Sequence, residues 1–165
     1  MIKRPMKAAT AKTVEDIVYP TIATPKVDGI RLEMIGQSAL TSSFKPIPND
    51  HIRLCLEASG LANIEAEIRL ADPTKKGYDV ESAVMSKGGE PDFRIVLFDN
   101  IENPYLPYAT RVKRLWELSK HYPWIHHQQP IVVSSASAMQ IYLDQVLADN
   151  FEGVVSRYPC AVYKE

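Results

Sequence analysis

The chain has 165 residues, with 19 basic and 20 acidic side chains that leave a net charge of −1 at pH 7. This length and a 45% apolar content predict one globular domain with a buried core, and the near-zero net charge excludes a globally basic surface. Two cysteines are too few for a disulfide framework. The sequence has no signal-peptide core and no apolar run that could span a bilayer, so we expect a cytoplasmic protein without a membrane partner.

In chain order, the first half of the sequence predicts short strands broken by turns. A helical turn at residues 14–18 precedes a strand at 22–26 and a hairpin with strands at 30–35 and 39–43. Asn49 or Asp50 then caps a helix that ends at Gly60. Residues 63–70 alternate between apolar and polar, which indicates a strand with one buried face and one solvated face.

The second half alternates longer helices with short strands. We expect His126 and His127 to lie in a loop, and Arg111 to lie on the solvated face of its helix, with Leu115 and Trp116 on the apolar face. Because helices interrupt the strands irregularly, we predict an α+β fold with a mainly antiparallel sheet. The elements are a helix at 78–87, a buried strand at 94–99, a helix at 108–121, a strand at 131–134, a helix at 137–149, and strands at 153–156 and 161–163.

One segment carries a distinctive set of chemical groups, Lys26-Val27-Asp28-Gly29-Ile30-Arg31. In an extended segment, Lys26 and Asp28 would lie on one side, where they could serve as a nucleophile and a carboxylate. Gly29 permits a sharp turn or a close approach, and Arg31 supplies a permanent cation for phosphate or ribose oxygens. The alternative interpretation is a strand end with a surface ion pair.

Three further stretches place polar groups beside predicted strands. They are Glu65-Ala66-Glu67, Phe98-Asp99 at the end of the buried strand, and Glu152-Gly153 before an apolar strand. Each has a simpler interpretation taken alone: a solvated strand face, a core aromatic and a charge at a helix end. Phe98 could instead stack on a base.

Together and in this order, the four stretches resemble the covalent nucleotidyltransferase superfamily of ATP-dependent DNA ligases, RNA ligases and mRNA capping enzymes. The segment 41–49 further resembles the corresponding part of small viral and phage DNA ligases. We therefore expect an ATP-dependent DNA ligase of bacteriophage type. The resemblance implies a nucleotidyltransferase (ATP-grasp-like) fold of mainly antiparallel sheets flanked by helices, with a nucleotide cleft between the sheets.

The resemblance also implies a mechanism with ATP and Mg²⁺ as cofactors. Lys26, assisted by Asp28, would form a lysine–AMP intermediate, and AMP would pass to the 5′-phosphate of nicked duplex DNA. A free lysine has a pKa of about 10.4, so the amine must be deprotonated first. The implied nucleotide contacts are Thr24 and Pro25 at the base, Arg31 and Glu67 at the ribose and Phe98 on adenine; Glu152, with Asp28 as a second candidate, is the implied Mg²⁺ ligand.

The sequence departs from the family pattern at two places. Ser42 stands where the family has an arginine that grips the 5′-phosphate, which leaves Ser42 and Lys45 as weak candidates for DNA phosphates. The family also continues into a K-x-K strand and an OB-fold domain. We therefore expect residues 1–165 to be a C-terminally incomplete adenylation domain, with residues 161–163 as an exposed edge and little nick sealing by the chain alone.

Several alternatives stay open at this stage. The chain could be a nucleotide-binding fragment, a degenerate relative without ligase activity, or a nucleotidyltransferase of the RNA ligase or capping type. We expect a monomer, located in the host cytoplasm if a phage encodes it. The mechanism requires Lys26, Asp28, Glu67, Phe98 and Glu152 to converge on one cleft.

Overall fold

The computed structural model describes residues 5–164. Eight strands and five helices follow a short 3-10 helix at Val14–Asp16. None of the helices in this described range is long and apolar enough to cross a membrane. In order, the elements are β1 (Thr21–Pro25), β2 (Ile30–Ile35), β3 (Ser38–Thr41), α1 (Asp50–Ala58), β4 (Ile64–Leu70), α2 (Tyr78–Met85), β5 (Phe93–Asn100), α3 (Tyr108–Arg111), α4 (Lys113–Leu118), β6 (Ile125–His127), β7 (Ile131–Val133), α5 (Ala136–Ala148) and β8 (Val154–Arg157).

The larger sheet has five strands in the order β3-β2-β4-β5-β6. All its pairs are antiparallel except β5 with β6. One face carries the apolar residues of β4, including Ile64 and Ile68, which are fully buried with Leu56 and Ile52 of α1 and Val80 of α2. The main hydrophobic core therefore lies between this face and the helices.

The smaller sheet has three strands in the order β7-β1-β8, and both pairs are antiparallel. Ala23 of β1, Val133 of β7 and Met139 of α5 form a second, smaller core. Capping follows the sequence: the Asn49 side chain accepts a hydrogen bond from Ile52 N at 2.9 Å, and the Ser135 hydroxyl accepts one from Ala138 N at 3.3 Å. The α+β prediction with mainly antiparallel sheets is confirmed.

Several predicted elements differ from the structure. The single helix expected at 108–121 is divided at Val112 into α3 and α4, and Trp116 is 54% exposed rather than part of the apolar side. His126 and His127 belong to the short parallel strand β6 and not to a loop. Residues 161–163 form no strand, so the strand predicted there is wrong; Val162 is exposed, as expected for an unpaired segment, but Tyr163 is buried.

The second face of β4 also departs from its prediction. Glu65 is 0% exposed and Glu67 is partly buried, although alternation had indicated a solvated face. The reason is that this face of the five-stranded sheet faces the smaller sheet, and residues of both sheets line a cavity between them. The polar face of β4 therefore forms the floor of a cleft.

Candidate functional site

The cleft between the two sheets encloses a cavity of about 430 Å³. The smaller sheet and the segment after β1 contribute Thr24, Pro25 and Lys26, and the larger sheet contributes Arg31, Glu67 and Phe98. Residues 6–8 of the N-terminal segment line another side. The six residues predicted to contact the nucleotide or attack it thus share one cavity, whose size is within the range of small-molecule sites.

Lys26 follows β1 and is held on the backbone by the segment before β8. Its N–H donates to Gly153 O at 2.7 Å, and Glu152 N donates to Lys26 O at 3.3 Å. The Lys26 ammonium forms an ion pair with the Glu152 carboxylate, and both side chains are about half exposed. Residues separated by 126 positions in the sequence therefore meet at the mouth of the cleft.

Glu67 lies on β4 inside the cleft, directly opposite Arg31 of β2 in the sheet register. Burial raises the pKa of Glu67 to about 7, although the charges of Arg31 and Lys26 act to lower it. The nearby carboxylates of Glu152 and Asp28 add to the rise. With such a pKa, the Glu67 carboxyl is neutral in part of the molecules at pH 7, where it can donate a hydrogen bond, and ionised in the rest, where it can only accept one.

Arg31 and Phe98 form one wall of the cavity. The centre of the Arg31 guanidinium lies 5.2 Å from the centroid of the Phe98 ring, a cation–π distance. Arg31 also pairs with Glu33 at 2.6 Å and with Glu65 at 2.7 Å. Burial acts to lower the pKa of Arg31, but the Glu65 and Glu33 carboxylates outweigh it and raise the pKa, so the charge is fixed.

Beneath this wall lies a buried ionic network that sequence analysis missed. Arg111 is 2% exposed and pairs with Asp99 through two hydrogen bonds of 2.8 and 3.0 Å, so its predicted position on a solvated face is wrong. Arg157 of β8 pairs with the same Asp99, and the Tyr163 hydroxyl bonds to Glu65. The sequence signal was limited to Asp99 at the end of a buried strand, which indicated no specific partner.

Asp28 does not share the direction of Lys26. Because β1 ends at Pro25, the alternation assumed for residues 26–28 does not apply. The Asp28 carboxylate accepts a hydrogen bond from Gly77 N at 3.2 Å, and it lines a separate depression with Arg69 and Lys76. The expected convergence therefore brings Lys26, Glu67 and Phe98 into one cavity with Glu152 at its mouth, and leaves Asp28 beside it.

The two weak candidates for DNA phosphates lie outside the cavity. Ser42 and Lys45 are exposed residues of the turn that follows β3, and neither lines the cleft. They occupy the edge of the five-stranded sheet, because β3 is its terminal strand. Their predicted role remains a prediction.

Gly29 has a structural reason to be glycine. A Cβ atom at this position would lie 2.3 Å from the Ile68 carbonyl oxygen and 2.8 Å from Glu67 Cγ. These distances are far below van der Waals contact, so only glycine lets β2 start this close to β4. The close approach is made to the protein's own backbone, next to the Glu67 side chain.

Within residues 5–164, no group of three or more His, Cys, Asp or Glu side chains could hold a metal ion by itself. Magnesium is usually held in proteins by one or two carboxylates together with substrate phosphates and water. The half-exposed Glu152 carboxylate at the mouth of the cleft fits that kind of site. Asp28, bonded to Gly77, fits it less well.

Comparisons with known proteins give matches among solved structures. No protein-family model and no curated protein matches the chain. The Chlorella virus DNA ligase–adenylate superposes with a TM-score of 0.88 and 29% identity, over 99% of this chain and 64% of that one. A Lig E DNA ligase gives a TM-score of 0.76 and 22% identity, over 100% of this chain and 65% of that one.

A third similar structure is the ATP-dependent DNA ligase of bacteriophage T7 in complex with ATP. It gives a TM-score of 0.67 and 14% identity, over 92% of this chain and 60% of that one. The chain thus spans just under two thirds of the length of these ligases. At this level of identity the T7 and Lig E structures support the fold alone, whereas the Chlorella virus structure is also 29% identical to this chain over the aligned residues.

Proposed function

Since the chain has the fold of the adenylation domain of ATP-dependent DNA ligases, we propose that it serves as such a domain and that Lys26 is its nucleophile. One observation carries the proposal. The Lys26 amine, the Glu67 carboxyl and the Phe98 ring come from distant parts of the sequence, yet they line one cavity of about 430 Å³. An amine, a group for ribose hydroxyls and a stacking surface are the parts that lysine adenylation requires.

The proposed reaction is attack of the Lys26 amine on the α-phosphate of ATP. The nitrogen lone pair forms a bond to the α-phosphorus, and the bond from that phosphorus to the β-phosphate bridging oxygen breaks. Pyrophosphate leaves with the electron pair, and the amine gives up a proton. In the structure the amine is paired with Glu152 as an ammonium ion, so attack requires that this pair part and that Lys26 lose a proton.

The walls of the cavity fit the rest of the nucleotide. Phe98 offers a face on which adenine can stack, a contact worth about 1–3 kcal/mol per base. Thr24 and Pro25 line the same cavity from β1 and bring backbone atoms toward the base. Glu67 of β4 and Arg31 of β2 are register partners on neighbouring strands. A ribose located between the base and Lys26 would contact this pair.

Glu152 is the residue we propose to hold Mg²⁺, together with the phosphates of the nucleotide. When bound, the ion supplies positive charge that offsets the charge of the triphosphate. The half-exposed carboxylate next to Lys26 supports the assignment, since hard oxygen ligands at a water-accessible site suit this ion. The second candidate, Asp28, has its carboxylate bonded to Gly77 N.

We further propose that the substrate which receives AMP is nicked duplex DNA. AMP would pass from Lys26 to the 5′-phosphate at the nick, and the 3′-hydroxyl would displace it to seal the strand. Ser42 and Lys45, exposed on the turn after β3, are the proposed contacts for DNA phosphates. Such an activity serves DNA repair, replication and recombination, and we propose a monomer that acts in the cytoplasm, of a host cell if the gene belongs to a phage.

The test is covalent labelling with ATP that is radioactive at the α-phosphate. With Mg²⁺ present, we expect the chain to take up label as an acid-labile, base-stable phosphoramidate. Lys26→Ala should abolish the label, because Lys26 lines the cavity beside Glu67 and Phe98; within residues 5–164 the one other lysine that lines it is Lys7, in the N-terminal segment. Lys120→Ala is the matched control, since this exposed lysine pairs with Glu117 on the surface and should label like the parent.

Three outcomes would change the proposal. Equal labelling of Lys26→Ala and the parent would show that Lys26 is not the nucleophile. Stronger labelling with GTP than with ATP would identify a nucleotidyltransferase of the capping type. Calorimetric binding of ATP and AMP without any label would describe a nucleotide-binding domain that does not transfer AMP.

A further inference from the structure

Two glutamates are fully buried side by side behind the wall of the cavity that Arg31 and Phe98 form. Glu33 of β2 and Glu65 of β4 are direct partners in the sheet register, and both are 0% exposed. Side chains that are directly opposite on antiparallel strands have Cβ atoms about 4.5–5.5 Å apart. Two ionised carboxylates on neighbouring side chains of this kind repel each other strongly when both are buried.

Within residues 5–164, only one oxygen of each carboxyl in the pair takes part in hydrogen bonds. Glu33 Oε1 accepts from Arg31 Nε, and Glu65 Oε1 accepts from Arg31 Nη2 and from the Tyr163 hydroxyl. The second oxygen of each carboxyl, Oε2, is buried and has no hydrogen-bond partner within residues 5–164. One proton on either group would turn two unpartnered acceptors into a donor and an acceptor.

The charged groups around the pair come from four elements. Arg31 lies on the same strand as Glu33, and Tyr163 approaches from the C-terminal segment. From β8, Arg157 Nη2 lies 4.0 Å from Glu65 Oε2, but its closer contact is with Asp99 of β5. Asp99 also binds Arg111 of α3. In the described part of the chain Glu33 therefore has Arg31 as its one cationic partner. Burial together with the charge of Glu65 raises the pKa of Glu33 to about 8.

We propose that Glu33 and Glu65 share a single proton and that the protonated pair fixes the Arg31 guanidinium against Phe98, which makes Glu33 a positioning residue for the nucleotide. The inference rests on the proposed function of the cleft. Three guanidinium groups face three carboxyl groups in this network, those of Arg31, Arg111 and Arg157 against those of Glu33, Glu65 and Asp99. With one shared proton, the network carries one excess positive charge behind the wall that would meet an anionic nucleotide.

The shared proton predicts how nucleotide binding changes with pH. As the pH rises through about 8, the Glu33 carboxyl ionises, the excess positive charge disappears and the two carboxylates repel each other beside Arg31. ATP affinity should then fall by about three- to tenfold between pH 6.5 and 9. This is the size expected when one positive charge is lost whose attraction for the anionic nucleotide is partly screened by solvent and salt. Arg31 itself stays charged over this range, because its two carboxylate partners raise its pKa.

The test compares ATP affinity of the parent chain, Glu33→Gln and Glu33→Leu from pH 6.5 to 9. Glutamine donates from its amide as the protonated acid does and cannot ionise, so Glu33→Gln should match the parent at pH 6.5 and lose less affinity than the parent by pH 9. A smaller loss shared by both remains, because Glu67, whose pKa is about 7, ionises in both proteins. Leucine offers no acceptor to Arg31, so the Glu33→Leu variant should bind ATP about tenfold more weakly than the parent at every pH. Glu102→Gln, an exposed substitution outside the cleft, should reproduce the pH profile of the parent.

An identical pH profile for the parent and Glu33→Gln would overturn the inference. A second readout separates it from the proposed function: the infrared band of a buried protonated carboxyl group, recorded at pH 7 without nucleotide. If this band is weaker in Glu33→Gln than in the parent while ATP does not bind, the shared proton stands and only the proposed function fails; the band that remains belongs to Glu67, whose pKa is about 7. If ATP binds and the band is equal in both proteins, the shared proton is refuted while the proposed function stands.

Discussion

Replacement of Gly29 by alanine tests why the lysine motif contains a glycine. The new Cβ would lie 2.3 Å from Ile68 O, and ordinary contact begins near 3.4 Å, so the start of β2 must move by 3.4 − 2.3 = 1.1 Å from β4. Glu67 Cγ, at 2.8 Å, must move as well. Overpacking of this kind costs about 1–3 kcal/mol, and the loss of one ladder hydrogen bond adds about 0.5–1.5 kcal/mol.

Part of this cost is offset, because alanine restricts the unfolded chain by about 0.4–1 kcal/mol relative to glycine. The net expectation is a loss of about 2–3 kcal/mol in the free energy of unfolding. Urea denaturation monitored by circular dichroism would show it as a midpoint lowered by about 1–2 M, given slopes of about 1–3 kcal/mol per M. Because Glu67 is displaced too, Gly29→Ala should also weaken ATP binding.

The matched control is Gly88→Ala. A Cβ at Gly88 meets no atom within 4 Å, and the backbone there is not in the left-handed region. This variant should be as stable as the parent or up to about 1 kcal/mol more stable. If Gly29→Ala unfolds at the same urea concentration as Gly88→Ala, the close approach of β2 to β4 does not exist as described.

Two further predictions concern the buried charges. Arg111→Met should lower the free energy of unfolding by about 3–5 kcal/mol, since it leaves Asp99 buried with only Arg157, whereas Arg114→Met, at an exposed pair, should cost less than about 1 kcal/mol in the same denaturation assay. Similar losses for both would contradict the buried pair. Burial raises the pKa of Glu67 from 4.5 to about 7, so between these pH values the folded state holds a proton that the unfolded state has lost. The stability that Glu67 contributes is therefore present at low pH and is lost as the pH rises to 7. Unfolding at pH 5 and pH 7 should therefore show a smaller loss of stability in Glu67→Gln than in the parent, and an unchanged loss would contradict the raised pKa.

The sequence by itself determined most of the local structure. The hairpin of β2 and β3, the Asn49 cap of α1 and the end of that helix near Gly60 follow from residue preferences that act over a few positions. The order of the four polar stretches also indicated the family and its fold, because each stretch is short and contiguous. These features need no knowledge of what packs against them.

The tertiary structure alone decided which polar groups are buried and with whom they pair. Alternation along β4 put Glu65 and Glu67 on the correct side of the strand, but it carries no information about the second sheet that covers that side. The partners of Asp99 are 12 and 58 positions away in the sequence. Neither pattern nor spacing indicates such a pair, since the attraction between charges depends on distance in space and on the exclusion of water.

The same distinction explains the residues that sequence analysis misplaced. β1 ends at Pro25, so strand alternation does not extend to residues 26–28 and does not place Asp28 on the same side as Lys26. The Asp28 carboxylate instead accepts a hydrogen bond from Gly77 N. Tyr163 is buried because its hydroxyl finds Glu65 and the backbone of Met6, contacts that span almost the whole chain. Local sequence thus determined which face of a strand each side chain takes, and long-range packing decided whether that face meets water, a carboxylate or the cleft between the two sheets.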